Sequence, residues 1–287
     1  LARKQSFEKN GEGRFEVITA LASFHGRTLG TISATGQEKV RAGFAPALPG
    51  FSYVPFGDLE ALTAEVSPAT CAIMLEPVQG EGGINVPPAG YLRTVRELCD
   101  RHLLTLIFDE IQSGIGRTGH LFAYQHDNVE PDVMTLAKAL AGGPPIGAMV
   151  AREHYAAALG PGSHGSTFGG NPLMASAALA TMQTILEDGL LDNCLAMGGY
   201  LRQRLEELQD KYDFIVEVRG RGLILGMELA IEGGEMVKTA LDRGLLINCT
   251  MGRVLRFVPP LIVGKQEIDQ MIDILDNIFV EYRENNK

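Results

Sequence analysis

The chain has few of the features that mark metal-binding, redox and membrane proteins. It has four cysteines in 287 residues, and none of them forms a C-x-x-C pair, which argues against a zinc site or a redox motif. No apolar run approaches the roughly 18 residues of a membrane-spanning helix, and no signal peptide is visible. Cys71 and Cys99 lie in apolar patterns typical of buried free thiols. We therefore expect a cytoplasmic protein with no metal site and no membrane partner.

Positive charge is also scarce. The chain has 25 Lys and Arg against 35 Asp and Glu, a net charge of −10 and a pI of about 5.1. An acidic chain is a poor candidate for binding nucleic acid or anionic membranes. Any anionic ligand must therefore be held by a few local cations rather than by the overall field of the protein.

Short apolar runs alternate with helical spacing over the first 170 residues. The pattern predicts strands at 15–20, 71–75, 105–108, 133–136 and 146–150, with a helix at 90–102. Such β-α-β alternation favours a mostly parallel sheet covered by helices, in which strands are apolar on both faces.

The pattern changes near residue 171. Asn171 followed by Pro172 predicts a helix start. Further helices are predicted at 172–187, at 192–211 and around 268–282, with strands at 215–219, 223–229, 246–248 and 254–258. We predict an α/β large domain over 1–172 and a smaller α+β C-terminal domain over 173–287.

Two strand ends carry residues suited to catalysis. Ligands of open α/β sheets bind at the carboxyl ends of the strands, where Asp109 follows 105–108 and Lys138 follows 133–136. A lysine in an apolar pocket loses its charge more easily and becomes an amine nucleophile of the Schiff-base kind. A carboxylate keeps the ring nitrogen of pyridoxal 5′-phosphate (PLP) protonated. Together the two residues suggest a PLP site.

Other interpretations of these residues are weaker. Asp109 and Glu110 also suit a salt bridge, a helix cap or a nucleotidase acid. The nucleotidase requires a phosphate loop, and the only Gly-Lys pair, Gly264-Lys265, lacks the upstream glycine. The glycines at 220–226 resemble a dinucleotide loop, but a strand-like run rather than a helix follows them.

Eight motifs occur in a fixed order along the chain. They are FHGRTLG (24–30), SATGQEK (33–39), EPVQGEGG (76–83), FDEIQSGIGRTG (108–119), TLAKAL (135–140), PIGA (145–148), HGSTFGGNPL (164–173) and RFVPPL (256–261). In these motifs the chain resembles the class III (subgroup II) aminotransferases, and the acetylornithine aminotransferases most closely. The resemblance implies the PLP-dependent transferase fold type I.

The resemblance also implies a cofactor site. Lys138 would form the Schiff base with PLP, and Asp109 would pair with the pyridine nitrogen. The remaining cofactor contacts implied are Phe24 and Ile111 on the two ring faces, Gln112 near the phenolic oxygen, and Ser166 and Thr167. Thr167 would contact the phosphate of the cofactor in the partner subunit, so the family pattern implies a homodimer with shared sites.

Substrate binding follows from the same resemblance. Arg27 would hold the α-carboxylate of the N-acetylated donor through a guanidinium fork. Arg256 would hold the α-carboxylate of glutamate or 2-oxoglutarate, and Glu81 would pair with Arg256 while the donor is bound. The implied reaction moves the terminal amine of N2-acetyl-L-ornithine to 2-oxoglutarate in two half-reactions, as in arginine biosynthesis.

The chain departs from the family pattern in two places. We expect the family's phosphate-binding loop to lie before Leu1, and Gly142–Pro145 lacks the usual aromatic residue. The alternatives are an aminotransferase for ornithine, succinylornithine, succinyldiaminopimelate or 4-aminobutyrate, and a non-catalytic truncated homologue.

Overall fold

The computed structural model describes residues 1–285 and contains two β-sheets with helices packed on them. The strands are β1 Glu16–Ala20, β2 Phe51–Val54, β3 Thr70–Leu75, β4 Thr105–Asp109, β5 Val133–Leu136, β6 Ala148–Ala151, β7 Ile215–Arg221, β8 Ile224–Leu229, β9 Asn248–Thr250 and β10 Val254–Phe257. The α-helices are α1 Ala2–Asn10, α2 Leu29–Ala34, α3 Glu38–Arg41, α4 Leu59–Glu65, α5 Tyr91–His102, α6 Glu153–Ala156, α7 Pro172–Glu187, α8 Leu190–Lys211, α9 Gly234–Asp242 and α10 Lys265–Asn285. Short 3-10 helices span Ala123–Asp127, Lys138–Ala141 and Ala157–Leu159.

The first sheet has the strand order β2-β1-β3-β4-β5-β6. All neighbouring strands are parallel except β6, which runs antiparallel to β5. The central strands are apolar on both faces, as the consecutive residues Ala72 and Ile73 of β3, which point to opposite faces, are both fully buried. These contacts confirm the predicted mostly parallel sheet.

Parallel pairing collects the strand ends at one edge of this sheet. Leu75 at the end of β3 is paired with Phe108 on β4, and Asp109 is paired with Thr135 on β5. The loops that follow β1, β3, β4 and β5 therefore leave the sheet side by side, which is where a ligand binds in open α/β folds.

The second sheet is smaller and antiparallel, with the order β7-β8-β10-β9. Helices α8 and α10 pack on it through apolar side chains such as Leu201, Leu205, Ile272 and Leu275. This arrangement confirms the α+β character predicted for the C-terminal part. The boundary at residues 172 and 173 stays a prediction.

Several elements differ from their sequence predictions. The strand predicted at 246–248 lies at 248–250, because Leu246 is 83% exposed and does not contribute to the core. The four-residue β2 and the shorter helices were not predicted, since they are too short to show a clear hydrophobic period. Strand β8 directly follows β7, so no helix is available to bind a pyrophosphate after Gly222.

The structure provides neither a membrane span nor an obvious metal site within residues 1–285. No helix in this range is long and apolar enough to cross a membrane. No cluster of three or more His, Cys, Asp or Glu side chains in the same range is placed to hold a metal ion. The four cysteines are free, and Cys71, Cys99 and Cys194 are buried.

Glycines allow three backbone segments to pack closely between the two sheets. Helix α8 approaches the β7–β8 turn at Gly198, where an added Cβ would lie 2.5 Å from the Gly222 carbonyl carbon. Gly222 has φ +53°, and its own added Cβ would lie 2.6 Å from the carbonyl carbon of Thr118 in the loop after β4. Side chains at these glycines would push α8 away from that loop.

We therefore expect opposite effects from two neighbouring substitutions in α8. Gly198→Ala should lower the free energy of unfolding by about 2 kcal/mol, because the methyl group overlaps fixed backbone atoms. Gly199→Ala should raise it by about 0.5–1 kcal/mol, because the site is exposed with no atom within 4 Å and alanine favours the helix. Urea unfolding of the cofactor-free protein measures both, and equal effects would contradict the close packing at Gly198.

Candidate active site

Asp109 and His25 form a buried pair at the carboxyl edge of the first sheet. Asp109 is the last residue of β4 and is 3% exposed. The Nδ1 atom of His25 lies 2.8 Å from Asp109 Oδ2, and the Ile111 amide donates to Asp109 Oδ1 at 3.1 Å. Burial lowers the pKa of His25, but the hydrogen bond to Asp109 and the charges of Asp109 and Glu76 outweigh burial and raise the pKa overall. The imidazolium thus balances the buried carboxylate.

A second buried carboxylate, Glu76, follows β3 at the same edge. Its Oε2 accepts the Phe24 amide at 3.1 Å, and its Oε1 accepts the Gly80 amide at 3.2 Å. Burial raises the pKa of Glu76 to about 7, with Asp109 adding to the rise while His25 and the two amides oppose it. Three ionisable groups therefore share one buried cluster.

Lys138 begins the 3-10 helix directly after β5, close to this cluster. Its backbone has φ +45°, a left-handed value that is unusual for a residue with a side chain. Desolvation lowers the pKa of Lys138 and the charge of Arg256 adds to this effect, against opposition from Glu81, Glu76 and Asp109. This desolvation is the effect expected of an apolar pocket, although the pocket is open to solvent in this chain. Lys138 is exposed, because the Gly/Pro turn after it is itself largely exposed and does not cover it.

The second sheet contributes Arg256, which meets the loop after β3. Its Nη1 donates to Glu81 Oε1 at 2.8 Å and to Gln112 Oε1 at 3.1 Å, and its Nε donates to Asn248 at 3.1 Å. Burial raises the pKa of Glu81, but the hydrogen bond from Arg256 and its charge bring the pKa below its usual value. The side chain of Gln112 fits here because Gly80 has none: an added Cβ would lie 2.4 Å from the Gln112 amide carbon.

Phe24 and Arg27 lie on the loop after β1 and line a cavity of about 240 Å³. The Arg27 guanidinium sits 5.3 Å from the centre of the Phe24 ring. The remaining wall of the cavity comes from Gln37, Lys39, Val40, Glu81, Asn248, Cys249, Thr250, Met251 and Gly252. The cavity thus joins the loops after β1 and β3 to the edge strand of the second sheet.

Ser166 and Thr167 lie apart from these groups in the chain. Every residue from Pro161 to Gly170 is exposed. Ser166 Oγ accepts the amide of Gly169 at 3.0 Å. Within residues 1–285, no hydrogen bond or ion pair connects Ser166 or Thr167 to the other candidate residues.

Comparison with known proteins identifies the family. The model of the class III aminotransferase family matches residues 1–279. The chain belongs to the class III aminotransferases. The acetylornithine aminotransferase of Methanocaldococcus jannaschii is 53% identical over 282 residues, covering 98% of this chain and 71% of that protein. The enzyme of the same name from Caldanaerobacter subterraneus is 52% identical, over 99% of this chain and 72% of that protein.

Solved structures agree with this assignment to the class III aminotransferases. The ornithine aminotransferase of Toxoplasma gondii superposes with a TM-score of 0.94 at 37% identity, covering 99% of this chain and 69% of that one. The acetylornithine aminotransferase of Elizabethkingia anophelis superposes with a TM-score of 0.83 at 32% identity, covering 98% and 70%. The fold is that of the PLP-dependent aminotransferases.

Class III aminotransferases depend on PLP, and the residues of this edge fit that cofactor. Asp109 presents a buried carboxylate for a protonated ring nitrogen. Lys138 presents an amine close to that carboxylate, and desolvation lowers the pKa of the amine. The His25 Nε2 and Thr135 Oγ1 atoms are buried without a partner in the described chain, as expected beside a polar group.

Two residues of the cluster were not among the sequence-predicted site residues. Glu76 follows β3 as Asp109 follows β4, so the rule that selected Asp109 would have found it. His25 stands next to Phe24 in the motif at 24–30, but nothing in its spacing shows that its ring turns toward Asp109. The roles of the sequence-predicted site residues stay predictions.

The His25–Asp109 pair predicts the titration of His25. In the cofactor-free protein we expect its pKa to lie above the ordinary value, and to fall in Asp109→Asn, because only the charge of Glu76 then opposes burial. Ring-proton NMR over pH 5–9 measures both values. His126, whose pKa burial lowers and His120 lowers further, is the internal control and should not move. An unchanged His25 titration in Asp109→Asn would contradict the pairing.

Proposed function

We propose that the chain transfers the terminal amino group of N2-acetyl-L-ornithine to 2-oxoglutarate, giving N-acetylglutamate semialdehyde and glutamate in arginine biosynthesis. The similar acetylornithine aminotransferases support this donor, since they are 45–53% identical over nearly the whole chain. The observation that carries the proposal is the Glu81–Arg256 ion pair beside Lys138.

This ion pair allows one site to accept two differently charged substrates. N-acetylornithine brings its single carboxylate to Arg27, so Arg256 stays neutralised by Glu81 at 2.8 Å. 2-Oxoglutarate brings a second carboxylate, which competes with Glu81 for the same guanidinium. Gln112 contacts both members of the pair, and it is placed to retain one of them when they separate.

The chain's own groups divide the proton transfers between them. PLP, when bound, supplies an electron-withdrawing ring that stabilises negative charge at the amine-bearing carbon. Asp109 would hold the proton on the ring nitrogen, with His25 balancing its charge. The Nζ of Lys138 would take the proton from the donor carbon, and its lowered pKa increases the fraction of free amine available for this step. Phe24 and Ile111 would pack against the two faces of the ring.

We also propose that the protein works as a homodimer. The segment with Ser166 and Thr167 is exposed, as required if Thr167 binds the cofactor phosphate of the partner subunit. The adjoining helix α7 is apolar and poorly covered, with Leu173 73%, Leu179 60% and Leu186 55% exposed. An apolar surface of this kind favours burial against another protein chain.

We propose that the protein is located in the cytoplasm. The cysteines are unpaired, which suits a reducing environment. The amino-acid substrates and the 2-oxoglutarate of the reaction are small and water-soluble, so the proposed reaction needs no membrane. This placement extends the expectation drawn from the cysteine pattern of the sequence.

A second donor, ornithine itself, is favoured by one observation. The Toxoplasma gondii enzyme with a TM-score of 0.94 is an ornithine aminotransferase. Ornithine carries a charged α-amine where the acetylated donor carries a neutral amide. Glutamate formation from each donor separates the two reactions, and a higher kcat/KM for ornithine would replace our assignment.

Lys138→Ala should remove turnover by at least about a thousandfold, because no other group moves the proton at the donor carbon. It should also remove the visible absorbance band of the imine between Lys138 and PLP. The matched control is Lys211→Ala, since Lys211 at the end of α8 is bound to Asp276 of α10, outside the candidate site, and the substitution should leave both readouts unchanged. Wild-type protein that shows neither absorbance nor glutamate formation would refute the aminotransferase function and favour a non-catalytic homologue.

The two arginines should affect different half-reactions. Arg27→Ala should raise the KM for N-acetylornithine by about tenfold or more, and Arg256→Ala should do the same for 2-oxoglutarate, because each removes a charge-assisted hydrogen-bonding fork. Arg101→Ala, an exposed residue of α5, is the control. Separate half-reaction kinetics measure the KM values. Equal effects of both variants on both substrates would contradict the division of roles.

A further inference from the structure

Glu76 is a buried carboxylate that the proposed proton transfers do not use. It is 3% exposed, and its two oxygens accept amides from two different loops, at Phe24 and at Gly80. The first loop carries the Phe24 ring and Arg27. The second loop continues directly into Glu81. One side chain therefore links the donor side of the site to the acceptor side.

The Glu81 loop is held from both ends. Glu76 holds the Gly80 amide from the first sheet. Arg219 of β7 holds the Gly83 carbonyl oxygen from the second sheet, at 3.0 Å from Nε and 2.8 Å from Nη2. The position of Glu81 opposite Arg256 thus depends on both anchors.

Charged groups surround Glu76 at three other strand ends of the first sheet. His25 lies on the loop after β1, Asp109 at the end of β4 and Lys138 after β5, and the charge of Glu76 acts on His25 and Lys138. A buried carboxylate is costly unless it is compensated. Packing alone would be served by a neutral side chain, so a carboxylate at this place indicates a role in charge and position.

We propose that Glu76 is a positioning residue that fixes the Phe24 loop relative to the Glu81 loop and completes, with His25, the charged environment of Asp109. The inference rests on the proposed function, because the loops it fixes are those of the two proposed substrates. Glu76 itself has no role in bond making or breaking. Its effect on the reaction is transmitted through Phe24, Glu81 and the His25–Asp109 pair.

The test is Glu76→Gln. The amide can accept one backbone N–H through its oxygen, but its NH2 group faces the second donor, so one hydrogen bond is lost. We expect the KM of both substrates to rise about tenfold with a smaller change in kcat, as for the loss of a charge-assisted hydrogen bond. A change in kcat alone, with both KM values retained, would overturn the proposal.

Cofactor affinity gives a readout independent of turnover. Below pH 7 the wild-type carboxyl is largely neutral, like glutamine; above pH 7 it is charged and stabilises a nearby cationic ring nitrogen. The ratio of the PLP dissociation constants, variant over wild type, should therefore increase about tenfold between pH 6 and pH 8. Absorbance titration measures it. A ratio that does not vary with pH would reduce Glu76 to a structural residue and overturn the proposal.

Glu110→Gln is the matched control. Glu110 is also fully buried, but it accepts bonds from Ser113, Ala123 and Tyr124, which lie outside the substrate loops. The Glu110→Gln variant should be less stable but should keep both KM values; a rise in both KM values like that of Glu76→Gln would overturn the proposal.

Glu76→Asp keeps the charge and is used if Glu76→Gln does not fold. Its PLP affinity should keep the pH dependence of the wild-type protein. If the wild-type protein binds no PLP, the proposed function is refuted. If the wild-type protein binds PLP and Glu76→Gln keeps its KM values and PLP affinity, only the role of Glu76 is refuted.

Discussion

The hydrogen bond between His25 and Asp109 is the interaction on which the site depends. A lone carboxylate buried after an apolar strand would be destabilising, and the hydrogen bond with His25 compensates its burial. The strand order β1-β3-β4 puts two strand spacings, about 10 Å, between the loop of His25 and the end of β4. That loop must cross the end of β3 to reach Asp109, and Glu76 lies where it crosses. The topology therefore creates both the pair and its third member.

The second sheet contributes the arginine of the proposed acceptor site. The first sheet supplies the carboxylates and the lysine, whereas Arg256 comes from β10. The two parts are joined by partly buried polar contacts, since Arg117 after β4 donates to the Leu223 and Pro259 carbonyl oxygens, and by the close backbone packing at Gly222. Arg256 is thus presented to Glu81 by a rigid support rather than by a flexible loop.

Much of this arrangement could be predicted from the sequence, because strand ends in a parallel sheet converge whatever the details of packing. The strands before Asp109 and Lys138 were predicted with an error of one residue or less, and the motifs gave the family. The orientation of His25 and the solvent exposure of Lys138 could not be predicted, because both depend on how distant loops fold over the edge. The predicted position of the edge strand β9 was wrong because the apolar Leu246, expected to be buried, is exposed.

The left-handed backbone of Lys138 has a cost in stability. A residue with a side chain at φ +45° is less stable there than glycine or asparagine, by about 1 kcal/mol. A lineage freed from catalysis would drift toward those two residues, since they relieve the strain. Position 138 therefore sets stability against the proposed chemistry, since glycine or asparagine there would relieve the strain and remove the amine.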